Sequence, residues 1–350
     1  MWHIFFRKKS GSSGKSVPGG NRGDEPAVET AEGKKRSGGK KVIKLEHVTK
    51  DYGNKKGVFD LSFSVPQGEV FGYLGPNGAG KTTTIRQLMG FIRPDGGNCQ
   101  MMGKECFRQA WEIQQRTGYL AGELAFPEDM TGLGFLKFMA DLKGMKDRKV
   151  MKDLMERFEL NPQGKIKKMS RGMKQKVGII NAFMHGPEIV ILDEPTSGLD
   201  PLMQNTFVEL ILEEKKKGTT ILMSSHIFEE IEKTCDRTAI IRSGRIAAVE
   251  NMKDLTGKRK KIYLVTLEQK EDAERFLREP GIQKWSHPGT RETLLPNQAE
   301  FTISGSLPDA LITIASYGVK DLEARNQSLE ELFLQYYEED VSQKKGRWEK

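Results

Sequence analysis

The sequence contains little cysteine and no long hydrophobic segment. Three cysteines occur in 350 residues, and Cys99, Cys106 and Cys235 match neither a C-x-x-C motif nor a His-paired metal spacing. The sequence therefore predicts no disulfide framework and favours a reducing compartment. No apolar run approaches the roughly 18 residues that cross a bilayer. If the protein acts at a membrane, we expect another chain to supply the membrane-spanning helices.

The excess of positive charge is concentrated at one end of the sequence. The formal net charge is +8, and residues 1–50 carry twelve Lys and Arg against five Asp and Glu. The remaining 300 residues therefore carry a net charge of +1. Because a nucleic-acid-binding domain needs a basic face on its folded part, no nucleic-acid partner is expected.

The two ends of the sequence also differ from the rest in composition. Residues 1–41 are rich in Gly, Ser and Lys and lack apolar periodicity, which predicts a disordered basic extension. A weak membrane-interface anchor in residues 1–9 stays open, because aromatic residues lie beside cations there. Residues 341–350 are predicted to form a polar tail.

Residues 42–255 have the pattern of an α/β domain. Residues 61–65 alternate between apolar and polar, as a half-buried strand does. Short, continuous apolar runs are typical of strands buried on both faces of a parallel sheet. Such runs occur at 189–192, 220–223 and 239–241.

Residues 105–185 have apolar residues at helical spacing, which predicts a helical subdomain within this domain. We expect the apolar stripes to face its core. They comprise Leu133, Leu136, Phe138, Met139, Leu142, Val150, Leu154 and Phe158.

A basic, polar stretch near residue 256 marks the start of a second, smaller domain over residues 256–340. Strand-like and helix-like patterns alternate in this region, which predicts an α+β fold. The strands are expected at 262–265 and 300–303, and the helices near 273–277, 307–315 and 329–337.

Residues 75–82 read GPNGAGKT, the pattern G-x-x-x-x-G-K-T. An apolar run precedes them and a helix-compatible segment follows, which is the context of a phosphate-binding P-loop. Glycines let backbone N–H groups approach a phosphate, and the helix N-terminus adds positive potential. Lys81 is expected to neutralise the outer phosphates and the Thr82 hydroxyl to bind Mg²⁺. The predicted nucleotide-binding residues are Gly75, Pro76, Asn77, Gly78, Ala79, Gly80, Lys81, Thr82 and Thr83.

Two adjacent carboxylates follow the apolar run 189–192. Asp193 at the end of such a strand can hold Mg²⁺. Glu194 can polarise a water molecule for attack on the γ-phosphate. We therefore predict Asp193 as a metal ligand and Glu194 as a catalytic residue.

These motifs and four others together resemble ABC ATPases over residues 43–250. Residues 191–201, ILDEPTSGLDP, resemble the Walker B motif and D-loop of that family, and residues 169–175, MSRGMKQ, resemble its signature motif. Ser224-Ser225-His226 is similar to the switch-histidine segment. Tyr52 lies where the family places an aromatic residue that stacks on adenine.

The resemblance implies a P-loop NTPase fold: a RecA-like core, an antiparallel β subdomain and an inserted helical subdomain. It implies ATP and Mg²⁺ as ligands, and His226 and Lys81 as catalytic residues beside Glu194. Ser170 as an N-cap and Gly172, with its close backbone approach, would present donors to the γ-phosphate held by a second subunit. Asp200 of the D-loop would organise contacts across this dimer.

Two motifs depart from the family pattern. Arg171 replaces a glycine and Met173 a glutamine in the signature, which puts contacts through those side chains in doubt. In the Q-loop, Gly122 occupies the usual Gln position and Glu123 follows it. We predict that Glu123 contacts Mg²⁺ or water, with the register between the two residues left open.

Three functions of this family compete. Residues 118–124, 172–176 and 329–334 resemble the ATP-binding subunits of bacterial ABC-2-type exporters, which predicts an ATPase at the cytoplasmic face of the membrane, bound to a separate permease. An importer ATPase is the first alternative, although accessory domains of importers are usually β-rich. A soluble ABC ATPase acting on ribosomes or DNA is the second, although such proteins usually carry two ATPase domains or long coiled coils.

Overall fold

The computed structural model describes residues 39–127, 129–285 and 294–332. The extension and tail predicted at the two ends fall outside these ranges, apart from residues 39–41. Across the described ranges, no helix combines the length and the apolar character that crossing a bilayer requires.

The described residues up to 257 form two sheets, eight α-helices and one 3-10 helix at Ile166–Lys168. The strands are β1 Lys41–Asp51, β2 Gly57–Pro66, β3 Val70–Leu74, β4 Gly96–Met101, β5 Lys104–Glu105, β6 Thr117–Leu120, β7 Ile189–Asp193, β8 Thr220–Ser225, β9 Arg237–Arg242 and β10 Arg245–Asn251. The helices are α1 Lys81–Leu88, α2 Ala110–Gln115, α3 Gly132–Leu142, α4 Lys149–Arg157, α5 Arg171–Phe183, α6 Pro201–Lys216, α7 Phe228–Thr234 and α8 Met252–Gly257.

The core sheet has six strands in the order β10-β9-β3-β8-β7-β6. Its strands pair in parallel except at the β10 edge. β7 and β8 are buried at every position, and β9 is buried over residues 238–241. The three apolar runs therefore form buried parallel strands, as predicted, because one face of the sheet packs against α5, α6 and α7 and the other against α1 and the antiparallel sheet.

A second sheet is antiparallel, with the order β2-β1-β4-β5. Along β2, Leu61, Phe63 and Val65 are buried and the serines between them are less so. The Phe63 ring stacks on Phe71 of β3 at 5.2 Å between centroids, which joins the two sheets through one hydrophobic core. The predicted antiparallel β subdomain is confirmed.

The helical prediction for residues 105–185 is correct only in part. Residues 117–120 form β6, a strand of the core sheet that pairs with β7. In α3, Leu136 is buried, but Phe138 is 50% exposed and Leu142 is 61% exposed. Val150 at the start of α4 is also exposed. The prediction that these three side chains face the core was wrong, because the helices bury a narrower stripe than helical spacing alone indicates.

The C-terminal domain has the chain order β-α-β-β-α-β. Its elements are β11 Lys261–Leu267, α9 Glu271–Phe276, β12 Ile282–Lys284, β13 Gln298–Ile303, α10 Leu307–Ala315 and β14 Val319–Asn326. The sheet order β12-β13-β11-β14, with every pair antiparallel, is that of a split β-α-β (ferredoxin-like) domain. The predicted strands and helices are present, although the helix near 329–337 is described only to residue 332.

The C-terminal domain returns to the ATPase domain at its end. Leu329 and Leu332 are buried in the same hydrophobic cluster as Leu255 of α8. Arg259, just after α8, donates a hydrogen bond of 2.7 Å to Glu232 of α7. Helix α7 begins two residues after His226. Through the Glu232 side chain it contacts the start of the C-terminal region.

Candidate functional site

The loop between β3 and α1 lies at the carboxyl end of the core sheet. Gly80, the N-cap of α1, has φ 111° and ψ 4°, a backbone conformation that residues with a Cβ rarely adopt. A Cβ at Gly75 would lie 2.4 Å from the backbone oxygen of Ile241, so this position also requires glycine. The glycine spacing of the motif thus meets two local steric requirements of the fold.

The other predicted phosphate-binding residues lie along the same loop. Pro76, Asn77 and Gly78 are exposed, Ala79 is buried and Thr83 is half-buried in the first turn of α1. The first N–H groups of a helix have no partner within the helix. The loop therefore presents backbone donors to solvent at the positive end of the helix dipole, where an anion is stabilised.

Lys81 places its amine against the inside of this loop. Its Nζ donates to the carbonyl oxygen of Gly75 at 2.6 Å and of Pro76 at 3.3 Å. The same atom lies 3.1 Å from Oε1 of Glu194. A nearly buried cation is thus held between the phosphate loop and the predicted base.

Asp193 is buried, and both of its carboxylate oxygens accept hydrogen bonds. The Thr82 hydroxyl donates to Oδ2 at 2.8 Å, and the Ser224 hydroxyl donates to Oδ1 at 2.5 Å. The two predicted metal-binding groups, Thr82 and Asp193, are therefore in direct contact although they are far apart in sequence. Hydroxyl and carboxylate oxygens suit Mg²⁺, which usually takes few protein ligands and completes its shell with phosphates and water, so these residues fit the ion.

Glu194 follows Asp193 with its backbone in the left-handed region, at φ 51°. A non-glycine residue there costs about 1–3 kcal/mol and needs support from its surroundings. Its N–H donates to the carbonyl oxygen and hydroxyl of Ser224 at 3.2 and 3.1 Å. Its carbonyl oxygen accepts from Gln175 Nε2 at 3.4 Å, and that amide also donates to Pro195 O at 2.6 Å. These contacts hold the left-handed backbone of Glu194, so that its side chain does not continue the alternation of β7 and instead lies against Lys81 at the phosphate loop.

His226 lies just beyond the end of β8. Its Nδ1 is 2.5 Å from Oε2 of Glu194. When Nδ1 carries the proton and donates it, Nε2 is left for a second partner. Lys81 and His226 thus contact the two oxygens of one carboxylate, and the three predicted catalytic residues are brought together at the phosphate loop.

In the segment predicted as the Q-loop, Gly122 lies beside Asp193. A Cβ at Gly122 would lie 3.2 Å from Oδ2 of Asp193. Glu123 is exposed, and within the described ranges no hydrogen bond or ion pair joins it to Asp193 or Thr82. The role predicted for Glu123 at Mg²⁺ stays a prediction without support from this geometry. Nearby, burial and then the charge of Asp193 raise the pKa of Tyr119 to about 12.

The signature motif begins helix α5, as its sequence predicts. Ser170 is the N-cap, and its hydroxyl accepts from the Met173 N–H at 3.2 Å. A Cβ at Gly172 would lie 2.8 Å from the carbonyl oxygen of Gly198. Gly172 therefore allows α5 to pack against the D-loop of its own chain, a role that the sequence reasoning did not foresee.

The D-loop is also held within its own chain. Asp200 is the N-cap of α6, and its Oδ1 accepts from the Met203 N–H at 3.0 Å. The Arg171 guanidinium donates to the Ser197 hydroxyl. The predicted role of Asp200 across a dimer stays a prediction, and its contact in this chain is a helix cap.

Tyr52 follows β1 and is 54% exposed. Lys50 Nζ lies 5.9 Å from its ring centre. The neighbouring hairpin turn reaches the phosphate loop, because Gly57 pairs with Asp51 and Val58 packs where a Gly80 Cβ would lie. An exposed aromatic face on this side of the loop is available for stacking on a base.

The structure therefore separates the predicted site into two groups within one chain. The phosphate loop, Asp193, Glu194 and His226 converge, with Tyr52 at the rim. Ser170 and Gly172 lie at the start of α5, and no described hydrogen bond or ion pair joins them to the phosphate loop. Sequence reasoning missed Ser224 and Gln175 as supports of Glu194. Both are polar residues of motifs that were noted, the switch-histidine segment and the signature, and this was the available signal.

Comparison with known proteins agrees with this geometry. The family model described as ABC transporter matches residues 58–197. The bacitracin transport ATP-binding protein BcrA of Bacillus licheniformis is 39% identical over 208 residues, which cover 59% of this chain and 68% of that protein. The linearmycin resistance ATP-binding protein LnrL of Bacillus subtilis is 36% identical over 219 residues, which cover 61% of this chain and 70% of that protein.

The fold also matches solved structures. One is a dimeric ATP-binding cassette in a post-hydrolysis state with ADP and phosphate bound; it superposes with a TM-score of 0.55 at 20% identity, over 60% of this chain and 98% of that one. At 20% identity this match shows only the fold, and it covers 60% of this chain.

Proposed function

Because the chain belongs to the ATP-binding subunits of ABC transporters, we propose that two copies close around two ATP molecules and that hydrolysis drives a separate membrane permease. The family fixes the coarse activity: the chain is an ABC ATPase that binds ATP. The contact of Glu194 with both Lys81 and His226 at the phosphate loop is the observation that carries the proposed catalysis.

In the proposed reaction Glu194 is the general base. Its carboxylate would accept a proton from the water that attacks the γ-phosphate, while His226 keeps the carboxylate oriented and Lys81 neutralises phosphate charge. Thr82 and Asp193 would hold Mg²⁺, which supplies further neutralisation of the phosphates when bound. The left-handed backbone of Glu194 fits this role, because strained residues cluster at functional sites.

The signature motif supports the dimer. Ser170 caps α5, so its hydroxyl and the first backbone N–H groups of the helix lie together at the helix start. Such a helix start stabilises an anion. In the proposed pair these donors meet the ATP held by the other copy, and Asp200 lies beside them in the interface.

An exposed apolar surface supports the permease as partner. We call the aromatic patch the set Phe91, Phe107, Trp111, Phe138 and Leu142, each of which is at least 42% exposed. Helices α2 and α3, which carry three of them, are tied together because Lys143 Nζ donates to the Gln114 carbonyl oxygen at 2.6 Å. Exposed apolar patches mark interaction sites, and a cytoplasmic helix of a permease at the membrane's inner face would cover this one.

The direction of transport is proposed from the relatives. Two of them are named for bacitracin transport and linearmycin resistance, and moving an antibiotic away from its target gives resistance. We therefore propose export. Co-purification of the full chain with a multi-helix membrane protein, and its loss in Trp111→Glu, would test the partner and its surface; retention of the complex by that variant would contradict the assignment of the aromatic patch.

The experiment that tests the catalytic proposal is Glu194→Gln. The variant should bind ATP and form an ATP-dependent dimer in size-exclusion chromatography, yet lose about 10²–10⁴-fold in phosphate release, as expected for removal of a general base. Glu229→Gln is the matched control, since the Glu229 side chain is 81% exposed on α7. Phosphate release by Glu194→Gln at the rate of this control would disprove the base assignment.

A further inference from the structure

A buried carboxylate joins the two loops that carry Glu194 and His226. Glu230 lies in the first turn of α7, four residues after His226, and is 5% exposed. Its Oε1 accepts a hydrogen bond from the Thr196 hydroxyl, and its Oε2 accepts one of 2.9 Å from the Ser225 hydroxyl. Each oxygen therefore holds a different loop.

The two hydroxyls are placed next to the catalytic residues. Thr196 lies two residues after Glu194, and Ser225 directly precedes His226. The Ser225 Oγ also accepts from the Ile227 N–H at 2.9 Å, which fixes the backbone on the far side of His226. Movement of the Thr196 or the Ser225 hydroxyl would therefore shift Glu194 or His226, whose side chains must stay within hydrogen-bond distance of each other.

Helix α7 gives Glu230 a fixed base. Ile231 is fully buried in the main core. The carbonyl oxygen of Glu230 accepts from the Thr234 hydroxyl at 2.5 Å. The carboxylate is therefore presented from a packed helix, whereas Thr196 lies in a turn and Ser225 is the last residue of β8, directly before the irregular segment at His226.

From this arrangement we propose that Glu230 is a positioning residue for ATP hydrolysis, which keeps the Glu194 and His226 loops in register. The inference rests on the proposed function, because it takes Glu194 and His226 as the groups that act on the γ-phosphate. Glu230 touches neither of them directly; it acts through Thr196 and Ser225.

The chemistry of the bridge explains why a carboxylate is required. Two hydroxyl donors need two acceptors, and an ionised carboxylate offers acceptors only. A glutamine of the same shape offers one acceptor and one amide donor, so either Thr196 or Ser225 must reverse its hydrogen bond. Reversal at Ser225 would give its Oγ two donors, the Ile227 N–H and the new amide, and would leave its own proton only the Ile227 carbonyl oxygen at 3.4 Å in place of the 2.9 Å bond to Glu230. Stability alone does not favour the carboxylate, since burying a charge costs free energy.

The test uses the full-length chain and compares Glu230→Gln with Glu229→Gln, the same change at the adjacent, exposed position. We expect Glu230→Gln to lower kcat about ten- to a hundred-fold while the KM for ATP stays within two-fold, because a small misplacement of catalytic groups affects the chemical step. The midpoint of thermal unfolding should not fall. Glu230→Ala, which removes both acceptors, should lose more activity than Glu230→Gln.

Two further variants keep the test valid if Glu230→Gln fails to fold. Thr196→Val and Ser225→Ala each remove one hydroxyl of the bridge and should lower kcat without changing the KM. The double variant Thr196→Val/Glu230→Gln should be no slower than the slower single variant, because both remove the same contact. Full additivity, or a kcat of Glu230→Gln within two-fold of the Glu229→Gln control, would overturn the proposal.

The outcome separates this inference from the proposed function. If the wild-type chain releases no phosphate from ATP, or if Glu194→Gln turns over normally, the proposed function fails. If the wild type is active, Glu194→Gln is inactive and Glu230→Gln matches its control, then only the positioning role of Glu230 fails.

Discussion

Replacing Gly172 by alanine should disturb the packing of the signature helix against the D-loop. A Cβ at Gly172 would lie 2.8 Å from the Gly198 carbonyl oxygen. Ordinary contacts begin near 3.4 Å, so one of the two backbones must move by about 0.6 Å. The Arg171 side chain also packs against Gly198, since a Cβ there would lie 3.0 Å from Arg171 Cγ.

Two opposing effects decide the magnitude. Alanine in the first turn of a helix is favoured over glycine by about 1 kcal/mol, whereas overpacking a close contact costs about 1–3 kcal/mol. We therefore expect Gly172→Ala to lower the free energy of unfolding by about 0–2 kcal/mol. The larger effect should be on turnover, since both Ser170 and the D-loop would shift. A displacement of this size predicts a loss of kcat of about ten- to a hundred-fold.

The assay is steady-state phosphate release at saturating ATP, with unfolding followed by circular dichroism on the same samples. Gly164→Ala is the control, because nothing lies within 4 Å of a Cβ at that position and its φ is not in the left-handed region. A Gly172→Ala protein that is more stable than the wild type and turns over at the rate of the Gly164→Ala control would refute the steric reasoning.

Two other predictions follow from the same geometry. Tyr52→Ala should raise the KM for ATP while Tyr52→Phe keeps it, because stacking needs the ring and not the hydroxyl; equal KM values for both variants and the wild type would exclude a role in base binding. Burial raises the pKa of Glu230, so its contribution to stability is fully present below the pKa of an unfolded glutamate and is lost as the pH rises through the folded value. The unfolding midpoint of the wild type, compared with that of Glu230→Gln, should therefore fall as the pH rises above 4.5, and a constant difference would show that Glu230 is not responsible.

The phosphate site could be predicted from sequence because its requirements are local. A strand, a glycine turn and a helix start are specified by adjacent residues, and Gly75 and Gly80 occupy the positions where a Cβ has no room or the backbone is left-handed. The buried parallel strands were equally predictable, since burial on both faces gives a continuous apolar run. In these elements the sequence pattern and the tertiary environment impose the same residue types.

The exposed aromatic patch could not be predicted in this way. Leu136 is buried, whereas Phe138 and Leu142, four residues apart and so on one face of α3, are exposed; the sequence pattern assigned all three to the core. Which side of a helix is buried depends on the neighbours that pack there, and the permease proposed for this surface is another chain. An apolar side chain that serves an interface therefore has the same sequence pattern as one that serves the core.

The supports of the catalytic residues were also hidden, for a different reason. Gln175 lies on α5 and reaches the backbone of Glu194 only because α5 packs beside the end of β7. Glu230 is separated from Thr196 by 34 residues, and its adjacent acidic neighbour Glu229 faces solvent. No local pattern distinguishes Glu229 from Glu230, because the difference between these two residues of α7 arises from the direction in which each side chain points.

The backbone of Glu194 shows how these supports combine. A left-handed non-glycine residue costs about 1–3 kcal/mol, and the compensation comes from two directions: β8 through Ser224, and the signature helix through Gln175. Because Gln175 lies on the helix that Ser170 begins, a displacement of that helix would act on the Glu194 carbonyl as well as on the donors at its start. The proposed base, Glu194, and the donors at the start of α5 are therefore linked through one helix. Closure of the proposed dimer would then act on Glu194 through Gln175, without any contact between Glu194 and the partner's ATP.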